Sequence, residues 1–139
     1  MIQRTFSIIK PDAVAAGHAG EILTMLEKAG FKILALRMTR LNQKQAEGFY
    51  DVHRARPFFP SLVRFMTEGP IIVMALERDD AIAKLREVMG ATDPAKAADG
   101  TVRKRFAQSI ERNCIHGSDA PETAAVELRY FFSTVDLQG

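Results

Sequence analysis

The stretch PIIVMALE, residues 70–77, restricts the possible folds of this chain more than any other. Its apolar run is far short of the 18 or so residues a membrane span requires. It is also too uniformly apolar for a strand with one wet face. It therefore predicts a buried strand, and a buried strand needs a sheet around it and other elements to cover that sheet. The rest of the chain has to supply both.

The neighbours do so in alternation. RTFSII (4–9) is short and partly β-branched and runs into Pro11, which reads as a strand entering a turn. Ile22, Leu23, Met25 and Leu26 recur at helical spacing within 20–28, with Gly30 as the stop. FKILALRM (31–38) predicts a strand with Phe31, Ile33 and Ala35 on one face and Lys32, Leu34 and Leu36 on the other. Both faces of that strand are expected to be largely covered, one of them by a second subunit. Residues 43–66 read as helical pieces broken at RPFFP (56–60), where two prolines force a turn. RDDAIAKLREVMG (78–90) is an amphipathic helix starting at Asp79 or Asp80 and ending at Gly90. Residues 91–115 lack sustained periodicity and read as one long functional loop. A last helix follows His116, with Asp119 and Glu122 at capping-box spacing and Pro121 in its first turn. Two β-α-β halves suggest an α+β fold of the ferredoxin-like sandwich type: an antiparallel four-stranded sheet with helices on its faces. With 139 residues, and no repeat or linker, one domain over 1–139 is expected.

Composition removes several function classes. Nineteen basic against seventeen acidic residues leave a net charge of +2, too little to make nucleic acid the main partner. One cysteine, Cys114, allows no intrachain disulfide and fits a reducing compartment. MIQRTFSIIKPD is broken by Lys10, Pro11 and Asp12 and does not resemble a signal peptide. A cytoplasmic protein without a membrane segment is expected.

The chemistry concentrates around NCIHGSD (113–119). His18, His53 and Cys114 give no paired metal-ligand spacing with His116. A Cys114–His116 couple is set aside because an extended segment is expected to turn the two side chains apart. Small neighbours at the mouth of a helix leave the His116 ring accessible, and helix N–H groups favour an incoming anion. Neutral imidazole is a competent nucleophile near pH 7. Glu127, eight residues past Asp119, is placed to fold back and hold one ring tautomer, the task of the third member of a triad. Lys10 projects from a strand end, Arg86 sits late in a helix, and Thr92, Arg103 and Lys104 lie in the long loop. Arginine forks, a hydroxyl and an ammonium are the donor set a polyphosphate requires, yet no G-x-x-x-x-G-K-[ST] motif occurs. Of Phe58 and Phe59, one is expected in the core and the other as a stacking platform for a base. Tyr50 is either a core residue or a phenol near Lys10.

Taken together, RTFSIIKPDAV (4–14), QAEGFYDVHRARPFFPSLVRFMTEGP (45–70), MGATDPAKAADGTVRKRFA (89–107), SIERNCIHGSD (109–119) and the trailing Glu127 resemble the nucleoside diphosphate kinases. The resemblance runs nearly end to end. It implies transfer of the γ-phosphoryl of a nucleoside triphosphate, ATP or GTP among others, to a nucleoside diphosphate. The route is ping-pong, through a phosphohistidine on His116. By the same resemblance Lys10 and Tyr50 border the transferred phosphoryl, Phe58 stacks on the base, and Arg86, Thr92 and Arg103 grip the phosphates. Asn113 binds the sugar hydroxyl, and Ser118 and Glu127 support the histidine. Mg²⁺ is held mainly by the nucleotide phosphates, with no direct side-chain ligand. A homo-oligomer, tetramer or hexamer, built from a common dimer is implied. The chain's stop soon after Phe132 bears on oligomer size, because some relatives make contacts through a tail. Two positions depart from the family pattern: Ala13, where many relatives have Gly, and Asp93, where Asn is usual. Asp93 is expected to weaken polyphosphate binding unless it faces away.

Overall fold

The structure, a computed structural model, describes residues 1–138; Gly139 lies outside the described residues. Four strands, β1 (Ile2–Ile9), β2 (Lys32–Thr39), β3 (Ile71–Asp79) and β4 (Ile115–Gly117), form one sheet in the order β2-β3-β1-β4. Every neighbouring pair is antiparallel. The helices are α1 (Pro11–Ala15), α2 (Ala19–Lys28), α3 (Gln43–Phe49), α4 (Phe59–Met66), α5 (Ala81–Met89), α6 (Val102–Phe106) and α7 (Pro121–Phe131). This is the expected α+β sandwich, with the PIIVMALE run at an interior position of the sheet.

Strand alternation divides the core in two. Phe6, Ile8, Val73 and Ala75 face one layer, where Ala46 of α3, Val63 and Met66 of α4 and Leu128 of α7 meet them. Ile9, Ile72, Met74 and Leu76 face the other, against Ile22 and Leu26 of α2 and Leu85 and Met89 of α5. Each fully buried aliphatic side chain here contributes roughly 1.5–3 kcal/mol by leaving water.

Several boundaries differ from the sequence reading. β3 continues to Asp79 because Arg78 and Asp79 pair with Gln3 and Ile2 of β1, so α5 begins only at Ala81. Asp80 precedes α5 with φ 52° and makes no side-chain cap; Gln3 Oε1 accepts from the Ile82 N–H instead. In β2 a bulge between Ile33 and Ala35 breaks the expected alternation. Ile33 packs with the α2/α5 layer, whereas Leu34 and Ala35 both pack on the other. β2 is a sheet edge, and within this one chain Leu36, 45% exposed, and Met38, 58% exposed, are left uncovered on the face expected to meet a second subunit. The long loop contains α6, capped by Thr101, whose side chain accepts from the Lys104 N–H. The Asp119–Glu122 capping box does not form: the residue before α7 is Ala120, whose N–H donates to Thr123 Oγ1.

Candidate active site

β4 is only three residues long, yet it decides where His116 goes. His116 lies in register opposite Ile8, and the Ser7 hydroxyl donates to its carbonyl at 2.7 Å. The imidazole therefore stands on a sheet strand rather than on a loop. It shares a face with Ile8 and meets the rings of Phe49 and Tyr50 at centroid distances of 5.3 and 6.3 Å. Gly117 follows because α5 crosses beneath: a Cβ there would come within 2.8 Å of Met89 Sδ and 2.9 Å of Leu85 Cδ2. The small residue after His116 is thus fixed by packing, a constraint the sequence reading did not foresee.

Cys114 has φ 75° and lies buried with the α2/α5 cluster. Cys114 and His116 lie apart, but not for the reason given by an extended segment. Residues two apart in a regular strand share a face; here the backbone turn at Cys114 separates them. Burial, then the nearby Asp12 carboxylate, pushes the Cys114 thiol up to about 12, so it stays protonated.

α7 brings Glu127 to the ring. Its Oε1 lies 2.7 Å from His116 Nε2 and accepts from Ser118 Oγ, also at 2.7 Å. A carboxylate on Nε2 keeps the proton there and leaves the Nδ1 lone pair free. The Tyr50 hydroxyl is buried and finds no hydrogen-bond partner among the described residues. Burial first, and the Glu127 charge second, raise its pKa, so it remains a neutral phenol.

Lys10 sits at the end of β1, where its N–H donates to the Cys114 carbonyl at 2.8 Å, and its Nζ donates to Asn113 Oδ1 at 2.7 Å. Burial and then the neighbouring Arg103 lower its pKa to about 8. Arg103, on α6, donates to the carbonyls of Asn113, Gly90 and Ile115. Burial and then Arg86 lower its pKa to about 10. Gly90 has φ 87°, and a Cβ on it would lie 2.5 Å from Thr101 Oγ1, so the approach of α6 requires glycine there. Arg86, near the end of α5, donates to Asp119 at 2.7 Å.

Lys10, Tyr50, Phe58, Arg86, Thr92, Arg103, His116 and Glu127 all line one cavity of about 650 Å³. That volume lies within the usual range for a small-molecule site. Asn113 and Ser118 stand behind its wall, holding Lys10 and Glu127. Phe58 is 47% exposed and Phe59 is 7% exposed and in the core, which resolves the choice between the two rings. Ile110 and Glu111 also line the cavity and were missed; an apolar side chain in the polar stretch QSIERN is the signal that marks the first. Asp93 points elsewhere, accepting from the Ala95 N–H, and Ala13 lies buried within α1 without a positive φ. Neither departure disturbs the cavity.

Three cations line this cavity beside three carboxylates, but Lys10 and Arg103 bond to an amide oxygen and to backbone carbonyls rather than to a carboxylate, which leaves their charge available to a polyanion. The acidic side chains nearest it are engaged: Glu127 with His116 and Ser118, Asp119 with Arg86, Glu111 with Ser61. Among the described residues no three His, Cys, Asp or Glu side chains are grouped to hold a metal ion.

The family model for nucleoside diphosphate kinase matches residues 3–137. The nucleoside diphosphate kinase of Nitratidesulfovibrio vulgaris is 55% identical over 139 residues, covering 100% of both proteins. Among solved structures, the Aquifex aeolicus nucleoside diphosphate kinase superposes with a TM-score of 0.96 at 42% identity, covering 99% of each chain. The Halobacterium salinarum nucleoside diphosphate kinase, solved in complex with CDP, gives 0.95 at 38% identity, over 100% of this chain and 93% of that one. A match this complete in sequence and in fold leaves one conclusion: the chain belongs to the nucleoside diphosphate kinase family.

Proposed function

We propose that His116 Nδ1 is the nucleophile through which this nucleoside diphosphate kinase carries phosphoryl groups between nucleotides. Kinases of this family work by ping-pong transfer through a phosphohistidine. The observation that carries the assignment is the 2.7 Å contact of Glu127 with Nε2, because it leaves the other ring nitrogen unprotonated on a ring that lines the same cavity as Lys10, Arg86 and Arg103. In the first half-reaction Nδ1 attacks the γ-phosphorus. The bond to the bridging oxygen breaks, and the nucleoside diphosphate leaves with the electron pair. In the second half-reaction a diphosphate terminus attacks the phosphohistidine and Nδ1 recovers its lone pair. The proton stays on Nε2 throughout, donated to the Glu127 carboxylate. A metaphosphate-like transition state asks the protein mainly for position and charge.

In this reading Lys10, Arg86, Thr92 and Arg103 hold the phosphates, and Tyr50 donates its free hydroxyl beside the transferred group. Asn113 contributes a sugar contact while orienting Lys10, and Ser118 fixes the Glu127 carboxylate. The base lies between the exposed side chains of Phe58 and Ile110 and is read by stacking, which every base permits. The CDP bound by the Halobacterium salinarum relative supports such a site. The reaction of this family needs a divalent cation. We assign Mg²⁺, carried on the phosphates because the protein's own donors here are cationic, and it supplies charge neutralisation when bound. The whole chain acts as one domain, in the cytoplasm, where nucleoside triphosphates are made. It works as a homo-oligomer, tetramer or hexamer.

The test is His116→Asn incubated with γ-labelled triphosphate. The variant is expected to bind nucleotide yet form no acid-labile phosphoprotein and give no turnover. Labelling at the parent level would remove His116 as the nucleophile.

A further inference from the structure

Two walls of the proposed base slot come from different parts of the chain. Phe58 is the residue before α4, and Ile110 is near the apex of the turn between α6 and β4. That turn is tightly closed: the Gln108 N–H donates to the Arg112 carbonyl at 3.0 Å, and the Arg112 N–H donates to Ser109 Oγ at 3.0 Å. Two polar links then tie it to α4 and the residues just after it. Ser61 Oγ donates to Glu111 Oε1 at 2.8 Å, and Arg112 Nη2 donates to Glu68 Oε1 at 2.7 Å. Arg112 also lies over the Phe65 ring, 4.8 Å from its centroid.

We infer that the Ser61–Glu111 hydrogen bond is a latch that sets the width of the base slot, which makes Ser61 a positioning residue for the nucleobase. This rests on the reading that the base lies between Phe58 and Ile110. Ser61 is one turn into α4, three residues past Phe58, and Glu111 is the residue after Ile110. A bond between them therefore joins the backbones that carry the two walls. The Glu68–Arg112 pair is about 40% exposed on each side and is the weaker of the two links. The Ser61–Glu111 bond is part-buried and is screened less by solvent. Without it the turn is tied to α4 only through Arg112, by the exposed ion pair with Glu68 and the contact with the Phe65 ring. A slot of variable width loses stacking with any base, but it leaves the phosphate donors, Lys10 just after β1, Arg86 on α5, Thr92 after α5 and Arg103 on α6, where they are.

The experiment compares Ser61→Ala, Glu111→Gln, their double mutant and the conservative Ser61→Thr. Binding of ADP, CDP and inorganic tripolyphosphate, which lacks a base, is measured together with kcat. Ser61→Ala is expected to weaken both nucleotides about three- to tenfold, the range one lost hydrogen bond commands. Tripolyphosphate affinity and kcat stay unchanged, Ser61→Thr restores nucleotide affinity, and the double mutant is no weaker than the worse single. Equal weakening of tripolyphosphate, additive losses in the double mutant, or full nucleotide affinity in Ser61→Ala would each overturn the latch. Phe58→Ala separates the two levels. If it keeps full nucleotide affinity, the base-slot reading itself fails; if it loses affinity while Ser61→Ala does not, only the latch fails.

Discussion

Lys10 is a buried ammonium with one neutral partner and a guanidinium nearby, and both its burial and Arg103 oppose its charge. An arriving polyphosphate reverses that balance, because anionic oxygens favour the protonated form. Nucleotide binding at pH 8 is therefore expected to draw a proton onto Lys10. The same group is expected to mark the pH–stability curve of the apo protein. Folded Lys10 titrates at about 8 and the unfolded side chain at 10.5, so above pH 8 the unfolded state binds more protons and stability rises with pH. The Cys114 thiol opposes this from about pH 8 upward, since its folded value is about 12 against 9.0 unfolded. Between pH 8 and 9 the Lys10 gain of about 1 kcal/mol is the larger, and the thiol takes back roughly a third of it. Urea titrations of the parent and Lys10→Met across that window check it; an identical rise in the variant would assign the effect to another group.

At the scale of elements, much of the sandwich was legible because its strands carry strong local signals. Ile71 to Leu76 admit nothing but a buried strand, and the Ile22–Leu26 spacing gives α2. What escaped was set by partners distant in sequence. The end of β3 depends on β1, and the bulge in β2 depends on which core layer Ala35 joins. α6 is a five-residue helix whose buried Arg103 is satisfied by carbonyls of Gly90, Asn113 and Ile115, none of them local enough to read in a window. β4 is too short for periodicity to show, yet its contact with α5 is tight. Gly117→Ala is expected to force Met89 and Leu85 aside and cost about 1–3 kcal/mol of stability, as overpacking does. Arg86 rides on α5, so the KM for nucleotide should rise with the loss. Chemical denaturation and steady-state kinetics read both, and an unaltered midpoint would mean that α5 yields without penalty.

Across the whole molecule, the sheet order is what turns scattered residues into one site. Placing β4 beside β1 sets His116 next to the strand that ends in Lys10, and α7 then returns Glu127 over both. The types of these residues were legible, and the resemblance implied the roles proposed for them, but their convergence is a product of topology. The same order leaves β2 as a free edge on the side away from β4. An edge strand presents unpaired backbone groups, and here it adds the half-exposed Leu36 and Met38, opposite Met74 and Ile72 in the register. Neither side chain is needed by the chain's own core, so the proposed homo-oligomer would gain stability by covering them with a second copy, without touching the active site. Met38→Glu places a charge in that contact, where burial without a partner is costly. It is expected to shift the protein to a smaller species in light scattering at micromolar concentration, with the phosphohistidine still formed. An unchanged mass would move the subunit contact away from this edge.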